Sequence, residues 1–215
     1  MNDHQVYFQL QKQLSQRVIT SNHFDAVTHI AGADVAYSDA TDQMIGAIVV
    51  LDAQTLEVVD QAVVKMEITF PYVPGLFSFR EVPPLLKAFE LLSIKPDLIV
   101  CDGHGIAHPR GLGMASHLGL ELDLPTIGCA KKRLIGDYEE VGQHRGAYSS
   151  LQYEGEEVGR VLRTQDGIKP LFVSVGHKVS IDTACHWILQ LAQQYRQAET
   201  TRKADALVRA VMARK

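Results

Sequence analysis

The sequence predicts an α/β protein in which a mixed sheet is flanked by helices. Three observations predict it. Three strand-like apolar runs follow one another with short connections between residues 29 and 68. Two short runs come later, the apolar DLIVC, which reads as a parallel strand, and the stretch 124–129, which reads as another buried strand. Helical periodicity separates and flanks these later runs.

The elements follow in order. Val6, Leu10, Leu14 and Val18 recur every four residues, predicting an amphipathic helix over 3–19. Strands are expected over 29–37, 44–51 and 56–68, with a hairpin turn at Asp52–Thr55, giving an antiparallel meander. Pro71, Pro74 and Gly75 rule out regular structure, and a helix follows from Phe79 to about Ser93 with Pro83 and Pro84 in its first turn. After the Lys95–Pro96–Asp97 turn, DLIVC reads as a central parallel strand. Residues 103–113 hold four glycines and a proline and form a loop; 114–121 is helical. Residues 137–155 read as polar and irregular, and 157–163 and 171–175 as strands. Gly176–His177–Lys178 is expected to turn. Ser180 or Asp182 then caps a helix running to about Arg196, and a last helix covers 202–213. Three antiparallel strands followed by α/β alternation is the ribonuclease H-like layout, in which the first and fourth strands lie side by side. Asp34 and Asp102 are then neighbours in space.

Bulk properties narrow the function. A length of 215 residues predicts a single domain spanning 1–215. Net charge is −4, so nucleic-acid binding needs a local basic patch. The three cysteines, an odd number with no CxxC pair, read as reduced and buried, and the expected location is the cytoplasm. No signal peptide is expected from MNDHQVYFQLQKQL, and the longest apolar runs are too short to cross a bilayer.

Asp34 interrupts an apolar strand, Asp102 follows one, and Glu81 lies near a helix start. A carboxylate at a buried strand end is costly to keep ionised unless a cation compensates it. Several that converge make a cradle for a hard ion such as Mg²⁺, suited to metal-assisted phosphodiester hydrolysis. Singly, each has a plainer reading: a solvated strand end for Asp34, a turn dipeptide for Asp102–Gly103, a helix-dipole partner for Glu81. Lys131 follows PTIGCA and is a candidate cation for a scissile phosphate, or simply a solvated lysine. Lys132 and Arg133, with His108, Arg110 and Lys178, could form a phosphate-binding surface. Pro71 and Pro74 stiffen a loop around Tyr72, which is either a packed turn residue or a wedge for a base stack. Base-inspecting enzymes need such a wedge. The 103–113 loop matches neither nucleotide-loop fingerprint, and no nucleophile elbow or zinc spacing occurs.

Together IAGADVAYSD, FPYVPGLFSFRE, DLIVCDGHGIAHPRGLGMASHLG, PTIGCAKKRL and SVGHKVSIDTA resemble the endonuclease V (deoxyinosine 3′ endonuclease) family, from about Asp3 to Arg209. The resemblance implies a ribonuclease H-like fold. It also implies Mg²⁺-dependent nicking, with Mn²⁺ as a substitute, of deoxyinosine-containing DNA at the second phosphodiester bond 3′ to the lesion. The products would carry 3′-hydroxyl and 5′-phosphate ends. An inosine-directed endoribonuclease and a non-catalytic nucleic-acid-binding module on the same fold are the alternatives. By position, the resemblance makes Asp34 and Asp102 metal ligands, Glu81 the third catalytic acid, and Lys131 the lysine at the scissile phosphate. It makes Tyr72, within Pro71–Pro74, the strand-separating wedge. Gly75 and Gly103 then belong to the base pocket and Asp205 lies near the metal; His108, from the basic surface above, joins the expected substrate-binding set. One metal or two, and a monomeric protein, are the remaining expectations.

Overall fold

The structure is a computed structural model that describes residues 4–38 and 41–213. Asp3, where the first predicted helix begins, and Asp39, which ends IAGADVAYSD, lie outside the described residues. One eight-stranded sheet forms the centre, in the order β3-β2-β1-β4-β5-β8-β7-β6. Its strands are β1 (His29–Tyr37), β2 (Gln43–Asp52), β3 (Val58–Glu67), β4 (Leu98–Cys101), β5 (Thr126–Ala130), β6 (Tyr148–Tyr153), β7 (Glu156–Leu162) and β8 (Leu171–His177). β1, β4 and β5 run parallel at the centre, and the remaining pairs are antiparallel. β1 to β3 form the expected meander, and β4 is central.

Helices cover both faces. α2 (Phe77–Leu91) and α3 (Met114–Leu122) bury Val82, Leu85, Ala115 and Leu118 on one face, against Ala31, Ala33, Ile99 and Cys101. α4 (Ile181–Leu191) and α5 (Glu199–Ala213) cover the other, where Ile188 and Ala204 meet Ile30, Leu98 and Val100. Neighbouring residues on β1 and β4 thus alternate between two cores, as the two-residue strand period requires. Ser180 caps α4 by accepting from the Thr183 N–H at 3.2 Å, worth about 1 kcal/mol.

Several local expectations are corrected. α1 is His4–Ser15, so Val18 lies beyond it; Val6 and Leu10 are exposed, and the buried α1 residue is Gln11. α2 starts at Phe77, which puts Pro83 and Pro84 well inside the helix instead of in its first turn. Pro84 packs on β2 where Gly46 has no side chain; a Cβ there would meet Pro84 Cβ at 2.8 Å. Residues 148–153 form β6 instead of an irregular stretch, joined to β7 by Glu154 and Gly155, both at positive φ. β8 continues through His177, so the turn there begins at Lys178, with φ 52°. α4 ends at Leu191 instead of near Arg196, and α5 starts at Glu199.

Candidate functional site

Asp34 and Asp102 leave the same end of two adjacent parallel strands. Ala33 pairs with Cys101, and the Asp102 N–H donates to the Ala33 carbonyl at 3.1 Å. Strand alternation then turns both carboxylates toward α5. α5 lies unusually close to β1: a Cβ on Gly32 would come 2.0 Å from the Thr200 carbonyl oxygen. From that contact, five helix residues rise about 7.5 Å. Two strand residues advance about 6.6 Å, which brings Asp205 level with Asp34.

The charges bear this out. Burial first, then the Asp102 and Asp205 charges, push the half-buried Asp34 carboxyl up to about 7; a Val35 N–H and the Lys131 charge pull it back. Glu81 approaches from α2, on the opposite face. Burial pushes it up to about 7, against the Tyr37 hydrogen bond and the Arg80 charge, with Asp102 adding to the rise. Tyr37 Oη donates to Glu81 Oε1 at 3.0 Å. Lys131 Nζ lies 2.5 Å from Asp102 Oδ2. Burial pulls the Lys131 amine down, but Asp102, then Asp34 and Asp205, outweigh it and hold the amine protonated. Asp205 also accepts from Arg209 Nε at 3.0 Å. The donors are all carboxylate oxygens with excess negative charge, the chemistry that suits Mg²⁺ and not a soft metal. Among the described residues, no three His, Cys, Asp or Glu side chains form a ready metal cage, and Lys131 serves as the cation at Asp102.

Beside these acids opens a cleft of about 600 Å³, the size of a small-molecule site. Tyr72, Pro74, Gly75, Glu81, Gly103 and His108 all line it, so most of the predicted substrate-side residues meet around one space that shares Glu81 with the acidic cluster. Pro71 is exposed and does not line it. Tyr72 is 64% exposed, its ring edge-on to Phe77 at 4.8 Å. Gly75 has φ +79°, and a Cβ there would strike Arg110 Nη2 at 2.4 Å.

The expected cationic surface is only partly assembled. His108 is buried and hydrogen-bonds the Gly75 backbone; burial first, then Arg110, bring it down to about 4. It is therefore neutral and braces the loop instead of offering charge to a phosphate. Lys178 lies past the His177 end of β8, which pairs with the start of β5, whereas Lys131 follows the end of β5. It binds Asp123 at 2.7 Å and is remote from Lys131. Three contributors escaped the sequence reading: Tyr37 on Glu81, Gln11 behind Gly75, and Arg196, whose Nη2 donates to the Lys131 carbonyl at 3.1 Å. Tyr37 alone had a signal, being inside IAGADVAYSD; the others depend on tertiary contacts.

The fold agrees with the likeness to known proteins. The Endonuclease V family model matches residues 12–206. An endonuclease V of Roseiflexus sp. (strain RS-1) is 48% identical over 198 residues, 92% of this chain and 88% of that protein. The endonuclease V crystal structure from Streptomyces avermitilis superposes with a TM-score of 0.91 at 49% identity, covering 95% of this chain and 91% of that one. A Ciona intestinalis endonuclease V structure, 24% identical with a TM-score of 0.86 and 99% coverage of both chains, shares the fold. Among the described residues, no helix is long and apolar enough to cross a membrane. With a ribonuclease H-like sheet and this extent of likeness, the chain belongs to the endonuclease V family of nucleases.

Proposed function

We propose that this chain nicks deoxyinosine-containing DNA at the second phosphodiester bond 3′ to the lesion, by Mg²⁺-assisted hydrolysis that leaves 3′-hydroxyl and 5′-phosphate ends. The observation that carries this reading is the junction of two parts: a cleft edged by the exposed Tyr72 and an acid–lysine cluster, with Glu81 in both. The first suits inspection of an extruded base, the second hydrolysis of a nearby phosphodiester.

Asp34 and Asp102 would hold Mg²⁺, with Mn²⁺ as a substitute and with Asp205 and Glu81 close by. Such an ion would supply a lower pKa for water and offset charge on the departing oxygen. Lys131 stays cationic beside Asp102 and faces the phosphate's developing negative charge. Tyr37 holds the Glu81 carboxylate in place. Tyr72 fills the gap left in the stack, while Gly75 and Gly103 let backbone approach the base.

The Ciona relative was crystallised with a 24-mer DNA containing an inosine followed by a ribo-adenosine, which favours an inosine substrate and keeps RNA as the second reading. The test is parallel cleavage of matched inosine-containing DNA and RNA, with and without Mg²⁺, the cut position being mapped. A Mg²⁺-dependent nick immediately 3′ of the lesion's 3′ neighbour is expected in DNA. Equal cleavage of inosine-free duplex would overturn the reading, and cleavage confined to RNA would replace it with the endoribonuclease.

A further inference from the structure

Gln11 is the fully buried residue of α1, a helix whose apolar Val6 and Leu10 face solvent. A polar side chain is buried without loss only when its hydrogen bonds are satisfied. Those of Gln11 all run to the cleft wall. Its Nε2 donates to the Gly75 carbonyl at 2.8 Å and to the Leu112 carbonyl at 3.1 Å. Its Oε1 accepts from Arg110 Nε. Arg110 in turn donates through Nη2 to the same Gly75 carbonyl at 2.9 Å and stacks over Phe8 of α1 at 4.5 Å. Gly75, Arg110 and Leu112 line the cleft, but Gln11 stands behind them.

Two chain segments that are far apart in sequence, the Tyr72 loop and the glycine-rich loop, are thus fastened to one amide. Gly75 sits one residue after Pro74, so the fastening fixes where the stiff Pro71–Pro74 segment emerges. We propose that Gln11 is a positioning residue that locks the Tyr72 loop to the opposite wall of the cleft and so sets how strongly this chain prefers an inosine-containing strand. This rests on the base-inspection reading above. Without the amide, Gly75 loses one of its three side-chain partners and keeps Arg110 and His108, the Leu112 carbonyl loses a partner, and the loop gains freedom. The cost falls on recognition, because a base pocket discriminates through the placement of its walls.

The test uses Gln11→Met, which keeps bulk and removes all three bonds, and Gln11→Glu, which keeps the acceptor for Arg110 and removes the two donors. Hydrogen exchange of the peptide covering residues 70–77 should accelerate in both variants, while peptides from β1 and β4 stay as in the wild type. Metal-free binding to inosine-containing and inosine-free duplexes, read by fluorescence anisotropy, should show the preference falling about tenfold or more in Gln11→Met and less in Gln11→Glu. KM for the inosine substrate should rise more than kcat falls. Exchange and preference both equal to wild type in either soluble variant overturn the proposal. So does a loss of thermal stability in which both duplexes weaken equally. If the wild-type protein itself has no inosine preference, the functional reading fails first, and the exchange result then shows whether the fastening exists without that role.

Discussion

Replacing His117 with Phe should reverse its effect on stability between neutral and mildly acid pH. His117 lies on α3, 6% exposed, with its ring 4.9 Å from Phe79 and Nδ1 3.1 Å from the Ser78 hydroxyl. Burial brings its pKa from 6.5 down to about 4; the exposed Glu121 carboxylate at 3.7 Å does not prevent this. The unfolded chain therefore binds more protons than the folded one between pH 6.5 and 4, and stability falls as pH drops through that window. From pH 7.5 to 4.5 the His117 contribution amounts to about 2.5 kcal/mol lost. The His117→Phe variant does not incur that loss. At pH 7.5 it leaves the buried Ser78 hydroxyl without its partner and is destabilised by about 1–2 kcal/mol. The difference from wild type should therefore move by about 2.5 kcal/mol in the variant's favour, roughly 5–10 °C in relative Tm for a chain of this size. Thermal melts of both proteins at pH 7.5 and 4.5 measure it, and other titrating groups, His108 included, cancel in the difference. Parallel pH profiles for the two proteins would refute the assignment of a neutral, buried His117.

Other expectations concern the site. Asp34→Asn should abolish nicking, yet in chelator its Tm should match or exceed the wild-type value, because it removes one of several mutually repelling carboxylates. A lower Tm would mean that Asp34 is structural. Lys131→Met should slow cleavage by roughly 10²–10³-fold under saturating substrate while leaving inosine preference intact; unchanged single-turnover rates would remove the lysine from the chemistry. Tyr72→Ala should reduce discrimination between inosine-containing and inosine-free duplexes more than it changes the Mg²⁺ concentration needed for half-maximal rate, measured by titration with each duplex.

Much of this arrangement was legible from local pattern. The apolar runs located the central strands, and the ribonuclease H-like order of strands and helices set the first strand beside the fourth, which makes Asp34 and Asp102 neighbours. What escaped depends on contacts between distant segments. Pro84 inside α2 packs on Gly46 of another strand, a contact that helix-start rules cannot register. β6 mixes Ser and Gln with Tyr and Leu without regular alternation, too polar for an apolar-run search, and its turn signal was the Glu154–Gly155 pair. Basic residues close to the acids could not be separated from Lys178 by charge alone; the antiparallel β5–β8 pairing decides that. Gln11 sits where helical periodicity reads as ordinary polar surface, and its burial follows from carbonyls 64 and 101 residues away.

Gly32 has a bearing on the acids that its missing side chain conceals. The hydrogen atom in place of a methyl group lets the α5 backbone rest directly on β1. It therefore acts as a spacer that sets how far Asp205 stands from Asp34. Charge density at the site is tuned by a residue that carries no charge, touches no ligand and lies two positions from the nearest acid. A survey of the donors alone would overlook it. Enlarging Gly32 would retune every carboxylate on that face while leaving each one in the sequence.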